Sequence, residues 1–180
     1  QLAADKVSFS DGGHLPAPVL ALQVNGLSPD SFQLQGKLQA QQIGPIALRG
    51  RWDGERLRGE AWWPKQSLKV FQPLLAPDLN LTLRDGEFYA QSAFSAAREQ
   101  GFEAGGHWVV KNGGMWLKDG EMSGLDFILS YRFKQHQWLL GAKQPVSLRI
   151  KSFSNLFEMQ NISADLQGTY PYSEGQPLTL

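Results

Sequence analysis

Phe32-Gln33-Leu34-Gln35-Gly36-Lys37-Leu38-Gln39-Ala40 puts apolar residues at every second position, with glutamine or lysine between them. A period of two is that of a β-strand with one face dry and the other wet. Downstream, Ile46, Leu48 and Trp52 alternate with Ala47, Arg49 and Arg51, and Asp53-Gly54 supplies a hairpin turn. Leu57, Gly59, Ala61 and Trp63 carry the apolar row back. The spacing predicts an antiparallel meander over residues 1–63.

Between Pro64 and Pro77 the rhythm changes. Leu68, Phe71, Leu74 and Leu75 follow helical three-and-four spacing, so the reading predicts a short amphipathic helix within 64–77, distorted near its end by Pro73. A second meander is expected over 78–180. Its rows are Leu79, Leu81 and Leu83, then Asp85-Gly86 as a turn, then Phe88, Ala90 and Phe94. Phe102, Ala104, Gly106, Trp108 and Val110 follow, closed by Asn112-Gly113-Gly114, and Met115 and Leu117 lead into Asp119-Gly120. Leu125, Phe127, Leu129, Tyr131 and Phe133, then Trp138 and Leu140, then Val146, Leu148 and Ile150 form longer strands. A helical turn is read at Ser152–Asn155, and Ile162, Ala164, Leu166, Gly168 and Tyr170 make a further row. The fold class is therefore all-β. Alternation alone leaves a closed sandwich, a barrel and an open meander as alternatives.

Composition supports this and removes several functions. The 180 residues hold 17 Lys+Arg against 17 Asp+Glu, a formal charge of zero, without the basic surplus that nucleic-acid binding requires. Hydrophobic content of 42% is too high for a disordered chain, and 19 Gly with 10 Pro punctuate it too often for a helical bundle. No cysteine is present, which excludes disulfides, thiolate metal sites and cysteine nucleophiles. The longest apolar stretches, such as Pro18 to Leu22, fall far short of the ~20 residues of a membrane-spanning helix. Gln1 follows no leader-like segment, and Gln176-Pro177-Leu178-Thr179-Leu180 reads as strand, so the chain is expected to be one segment of a longer β protein.

Catalytic patterns are missing too. His14, His107 and His136 are widely separated and match no metal-binding spacing, and the Asp-Gly pairs serve turns rather than a calcium loop. Gly105-Gly106 and Gly113-Gly114 lack the strand, helix and Lys-Ser/Thr context of a phosphate loop. No catalytic residue, metal site or cofactor is expected. Trp62 and Trp63 point to opposite faces of one strand; the helix at Lys65 to Leu75 is expected to lie on these rings, and an exposed tryptophan platform for glycans is the alternative.

Three stretches carry a resemblance to a known family: Trp63-Pro64-Lys65-Gln66-Ser67-Leu68-Lys69-Val70-Phe71-Gln72-Pro73-Leu74-Leu75, Gly101-Phe102-Glu103-Ala104-Gly105-Gly106-His107, and Ala164-Asp165-Leu166-Gln167-Gly168-Thr169-Tyr170-Pro171. Together they resemble the YdbH proteins of Gram-negative bacteria, members of the AsmA-like group that includes TamB and YhdP. The likeness runs from about Leu48 onward, and Gln1 to Gly44 matches only in its β rhythm. It implies an antiparallel sheet curled into a groove, a β-taco, with one short amphipathic helix. It also implies a periplasmic bridge in the cell envelope, anchored in the inner membrane by an N-terminal helix outside this segment. Phospholipids would be carried passively between the membranes, and an outer-membrane lipoprotein of the YnbE type would pair by strand addition at the far end of the full-length protein. On that reading the groove lining is Leu34, Leu38, Leu48, Leu81, Leu83, Phe88, Phe102, Trp108, Leu117, Phe127, Leu129, Leu148, Ile150, Ile162 and Leu166. The competing expectation is that the same residues fill a closed β-sandwich acting as a binding or scaffolding module.

Overall fold

Alternating residues become strands here in nearly unbroken succession. The computed structural model describes residues 1–141, 143–155 and 157–171; the strand read at 176–180 lies outside them. The strands are β1 (Leu2–Ala3), β2 (Lys6–Ser8), β3 (His14–Pro16), β4 (Pro18–Ser28), β5 (Ser31–Ala40), β6 (Ile43–Trp52) and β7 (Arg56–Ser67). After two short 3₁₀ helices come β8 (Thr82–Ala97), β9 (Gly101–Leu117), β10 (Gly120–Lys134), β11 (Gln137–Leu140), β12 (Val146–Ser154), β13 (Glu158–Leu166) and β14 (Gly168–Pro171). β2 and β3 form a separate ribbon, and the rest build one twelve-stranded antiparallel sheet, β4 to β10 pairing in chain order.

The sheet forks at β10. On the edge away from β9, the first part of β10 pairs with β12 and its last residues, Tyr131 to Lys134, pair with β11. β13 then adds to β12, and β14 adds to β11. Ser152 and Ser154 lie within β12, so the turn read at 152–155 is strand as far as Ser154. Among the described residues no strand closes the sheet: β4 beyond Leu20 and the outer edge of β13 stay unpaired.

Two glycine signals that read as turns are bulges inside long strands. Asp85-Gly86 lies within the 16 residues of β8, and Asn112-Gly113-Gly114 within the 17 of β9. A residue with positive φ, Gly86 in the first and Asn112 in the second, suits a turn and a bulge equally, so the local sequence cannot separate them. Register shifts recur on neighbouring ladders, between Trp63 and Gln66, Leu83 and Glu87, and Met122 and Phe127. Each bulge bends its strand and tightens its twist, so a row of them across adjacent strands curls the sheet. At the crease the chains nearly touch. Gly86 has φ +108°, and a Cβ on it would lie 2.6 Å from Gly113 Cα and 3.0 Å from the Asn112 carbonyl oxygen.

The expected helix is shorter and tighter than its reading. β7 continues through Ser67, because Gln66 and Ser67 still pair with Phe88 and Glu87 after the bulge. The 3₁₀ helix then occupies Leu68–Leu74. Leu68, Phe71 and Leu74 are spaced by three, the period of a 3₁₀ helix, and Pro73 removes an N–H that an α-helix would use. Having no side-chain N-cap, this strap is held by burial and by two glutamines. Leu68 and Phe71 are buried with Ala40 and Ile43, against Leu15, Trp63, Leu83, Phe88 and Val110. Gln72 donates to the Leu81 carbonyl (2.8 Å) and accepts from the Leu83 N–H (2.7 Å). Gln66 accepts from Gly44 N–H (2.8 Å) and Trp63 Nε1 (2.9 Å) and donates to the carbonyls of Gln42 and Gly44, spending its whole amide on the β5–β6 turn and its own strand.

Asp53 forms the β6–β7 turn as read. Its carboxylate accepts from the N–H groups of Arg56 and Glu55, which hold its pKa below the usual carboxylate value. A depressed carboxylate favours the folded turn above its ordinary pKa, and that contribution disappears as pH falls through the lowered one.

Gly86→Ala should destabilise the protein by at least about 1–3 kcal/mol from backbone strain alone, measured by urea unfolding, because neither φ nor the Gly113 backbone accommodates a methyl group.

Candidate functional site

Directly opposed residues of an antiparallel ladder share a face, so the register alone identifies which side chains lie together. One row runs Val24, Leu34, Gly50, Gly59, Phe94, Ala104, Phe133 and Trp138, crossing from β4 to β11. Beside it runs Leu22, Gly36, Leu48, Ala61, Ser92, Gly106, Tyr131 and Leu140. Further rows on the same face are Phe32, Trp52, Leu57, Ala96 and Phe102; Trp63, Ala90, Trp108 and Leu129; and Phe88, Val110, Phe127, Leu148 and Ala164. The β12–β13 pairs Ile150–Ile162 and Val146–Leu166 extend it, each two residues from Leu148 and Ala164. The result is one apolar surface shared by consecutive strands.

Aromatic rings tile its middle. Phe71 of the strap, Trp63 and Phe88 meet edge to face at 5.0–5.3 Å, and Phe88 reaches Trp108 at 6.5 Å. Trp108 meets Tyr131 at 6.1 Å, then come Tyr131–Trp138, Trp138–Phe133 and Phe133–Phe102 contacts. The hydroxyls of Ser92 and Tyr131 on this face hydrogen-bond to one another across the gap left by Gly106.

The surface is open in part. Val24 is 59% exposed, Phe102 51%, Trp108 47% and Leu166 58%, most other side chains on it are half-buried, and Ala90, Val146 and Ile150 are buried. Of the residues singled out in the sequence, Leu34, Leu38, Leu48, Phe102, Trp108, Phe127, Leu129, Leu148, Ile150, Ile162 and Leu166 lie on this face. Leu83 and Phe88 are on it but packed beneath the strap. Leu117 is the last residue of β9, opposite Gly120, and Leu81 precedes β8, where its carbonyl serves Gln72. The sequence reading left Leu20, Leu22 and Val24 of β4 off the face, although they show the same alternation.

The opposite face is polar, carrying Gln33, Gln35, Lys37, Arg49, Arg51, Arg58, Glu60, Gln91, Glu103, His107 and Arg132. Trp62 lies here with the Arg49 guanidinium 4.5 Å over its ring, so the strap covers Trp63 and not both tryptophans. A cleft of about 770 Å³ on this side gathers Tyr89, Glu103, His107, Ser130, Arg132 and Lys143. His107 and Ser130 are cross-strand partners, but among the described residues no hydrogen bond joins them, and Glu103 is engaged by Lys134 (3.1 Å) and Arg132 (3.8 Å). No relay of nucleophile, base and orienting acid is assembled there. Among the described residues no group of three potential metal ligands occurs, and no helix is long and apolar enough to cross a membrane.

Leu83→Arg should lower unfolding stability by more than about 2 kcal/mol, whereas Phe102→Arg should change it by less than about 1 kcal/mol, as read from urea melts of the two variants.

The YdbH-like family, described as intermembrane phospholipid transport protein YdbH, matches residues 1–180. The probable phospholipid transport protein YdbH of Escherichia coli (strain K12) is 54% identical over 179 residues, 99% of this chain. The chain spans 20% of that relative's length. No solved structure matches.

Proposed function

The chain belongs to the YdbH-like family, and from that premise we propose that its open apolar face is one stretch of a groove along which phospholipids slide between the inner and outer membranes. The observation that carries this reading is the unbroken apolar row from β4 to β11, with the edge of β4 beyond Leu20 and the outer edge of β13 unpaired among the described residues. A transport path must continue into neighbouring segments, and open edges permit that.

The energetics suit passive movement. Each buried CH₂ is worth ~0.8 kcal/mol, so an acyl chain passing through water loses on the order of 10 kcal/mol. A continuous apolar surface removes most of that barrier without a covalent step or a cofactor. Aliphatic and aromatic side chains give acyl chains contact without a strong trap, and the polar outer face keeps the other side wet. In this proposal the segment works in the periplasm, within a protein anchored in the inner membrane by an N-terminal helix outside the segment. A lipoprotein of the YnbE type adds a strand at the outer-membrane end.

Photocrosslinking in cells tests the path. A photoreactive phenylalanine analogue at Phe102, Trp108 or Phe127 should give phospholipid adducts, while Gln35 and Gln91 on the polar face and Leu83 beneath the strap should give none. Adducts equally on both faces, or none at the three apolar positions in a folded protein, would overturn the proposal.

A further inference from the structure

The polar face carries a second feature that the lipid path does not use. Arg51 and Arg58 are direct cross-strand partners on β6 and β7, and Arg49 lies on the same face two residues from Arg51. All three are exposed. Like charges directly opposed across a ladder work against the pairing, so this arrangement costs stability where a neutral pair would not. Elsewhere on this face Arg132 and Lys134 pair with Glu103, and Arg149 with Asp165. Among the described residues no carboxylate lies within 4.0 Å of Arg49, Arg51 or Arg58.

The three arginines line one shallow depression with Gln33, the backbone of Gly50 and Gly59, and Glu60. Glu60 is its one carboxylate, so three positive groups against one negative leave a local charge of 3 − 1 = +2. Arg49 is held in place by its stacking on Trp62. Arg51 and Arg58, with Cβ atoms about 5 Å apart, can both direct their planar forks at one tetrahedral oxyanion.

We propose that this depression is an anion site that binds a phosphate group through Arg51 and Arg58, with Arg49 alongside. The group comes either from a soluble phosphate or from an anionic lipid headgroup. The site is on the face opposite the apolar surface, so it stands or falls independently of the lipid path.

The test compares the intact protein containing this segment with its Arg51→Gln/Arg58→Gln variant, using inorganic phosphate by calorimetry and flotation on phosphatidylcholine vesicles with and without phosphatidylglycerol. Binding of either probe should weaken about tenfold or more in the variant, with the melting temperature unchanged or raised because a repulsion is removed. Phosphate binding lost in the variant supports a soluble source. Phosphatidylglycerol-dependent flotation lost in the variant supports a headgroup. Should the double variant fail to fold, Arg51→Lys/Arg58→Lys keeps the charges without the forks and should still weaken binding. Equal binding by wild type and variant, or no binding of either probe by the wild type, would overturn the site.

Discussion

Everything in this molecule depends on strand register, because a slip of one residue would turn an entire apolar row into solvent and bury its polar neighbours. Leu34, Leu48, Phe94 and Phe133 stand on one side of the sheet, and Gln35, Arg49, Ser95 and Lys134 on the other, only while each ladder keeps its pairing. The register is set by local devices. Asp53 fixes the β6–β7 turn, Gln66 ties the β5–β6 turn to β7, and the bulges take up extra residues where the strands bend. A soluble sheet with one apolar face ordinarily hides it under a second layer. Here the strap covers one patch and leaves Phe102, Trp108 and Leu166 exposed.

That division assigns different work to similar residues. Leu83, Phe88 and Val110 stabilise the fold through Leu68 and Phe71, whereas Phe102, Trp108 and Leu166 present surface that the fold does not need to hide. The strap is thus the local core of a segment whose remaining apolar face is available for another occupant. Its two glutamines matter because a short 3₁₀ helix with an internal proline has little stability of its own.

The strands were largely legible because period-two alternation is a local property, visible at Phe32 to Ala40 and again at Phe102 to Val110. Asp85-Gly86 and Asn112-Gly113 misled because a residue with positive φ, Gly86 in one and Asn112 in the other, suits a turn and a bulge alike, and the neighbouring strand decides between them. Helix spacing was visible at Leu68 to Leu75, but its first residue depended on β7 keeping its partner β8 as far as Ser67. The fork at β10 had no local signal. Nothing at Gln167 tells that Gly168 leaves the line of β13 to join β11, since that choice rests on non-local pairing. The apolar face was legible in its rows, whereas the covering of Leu83 and Phe88 required the strap's position. Arginines 51 and 58 face one another only through the register of the Asp53-Gly54 hairpin, a relation across strands rather than along one.

The claim at the centre of this account is that the apolar face is open to lipid and is not the inside of a closed core. A cryo-electron-microscopy map of the intact protein, purified with its native lipids, tests it most directly. The account predicts elongated acyl-chain density lying against Trp108, Phe127 and Leu148, with no protein layer over them. A second sheet from the same protein packed onto those residues, with no lipid between, would contradict it.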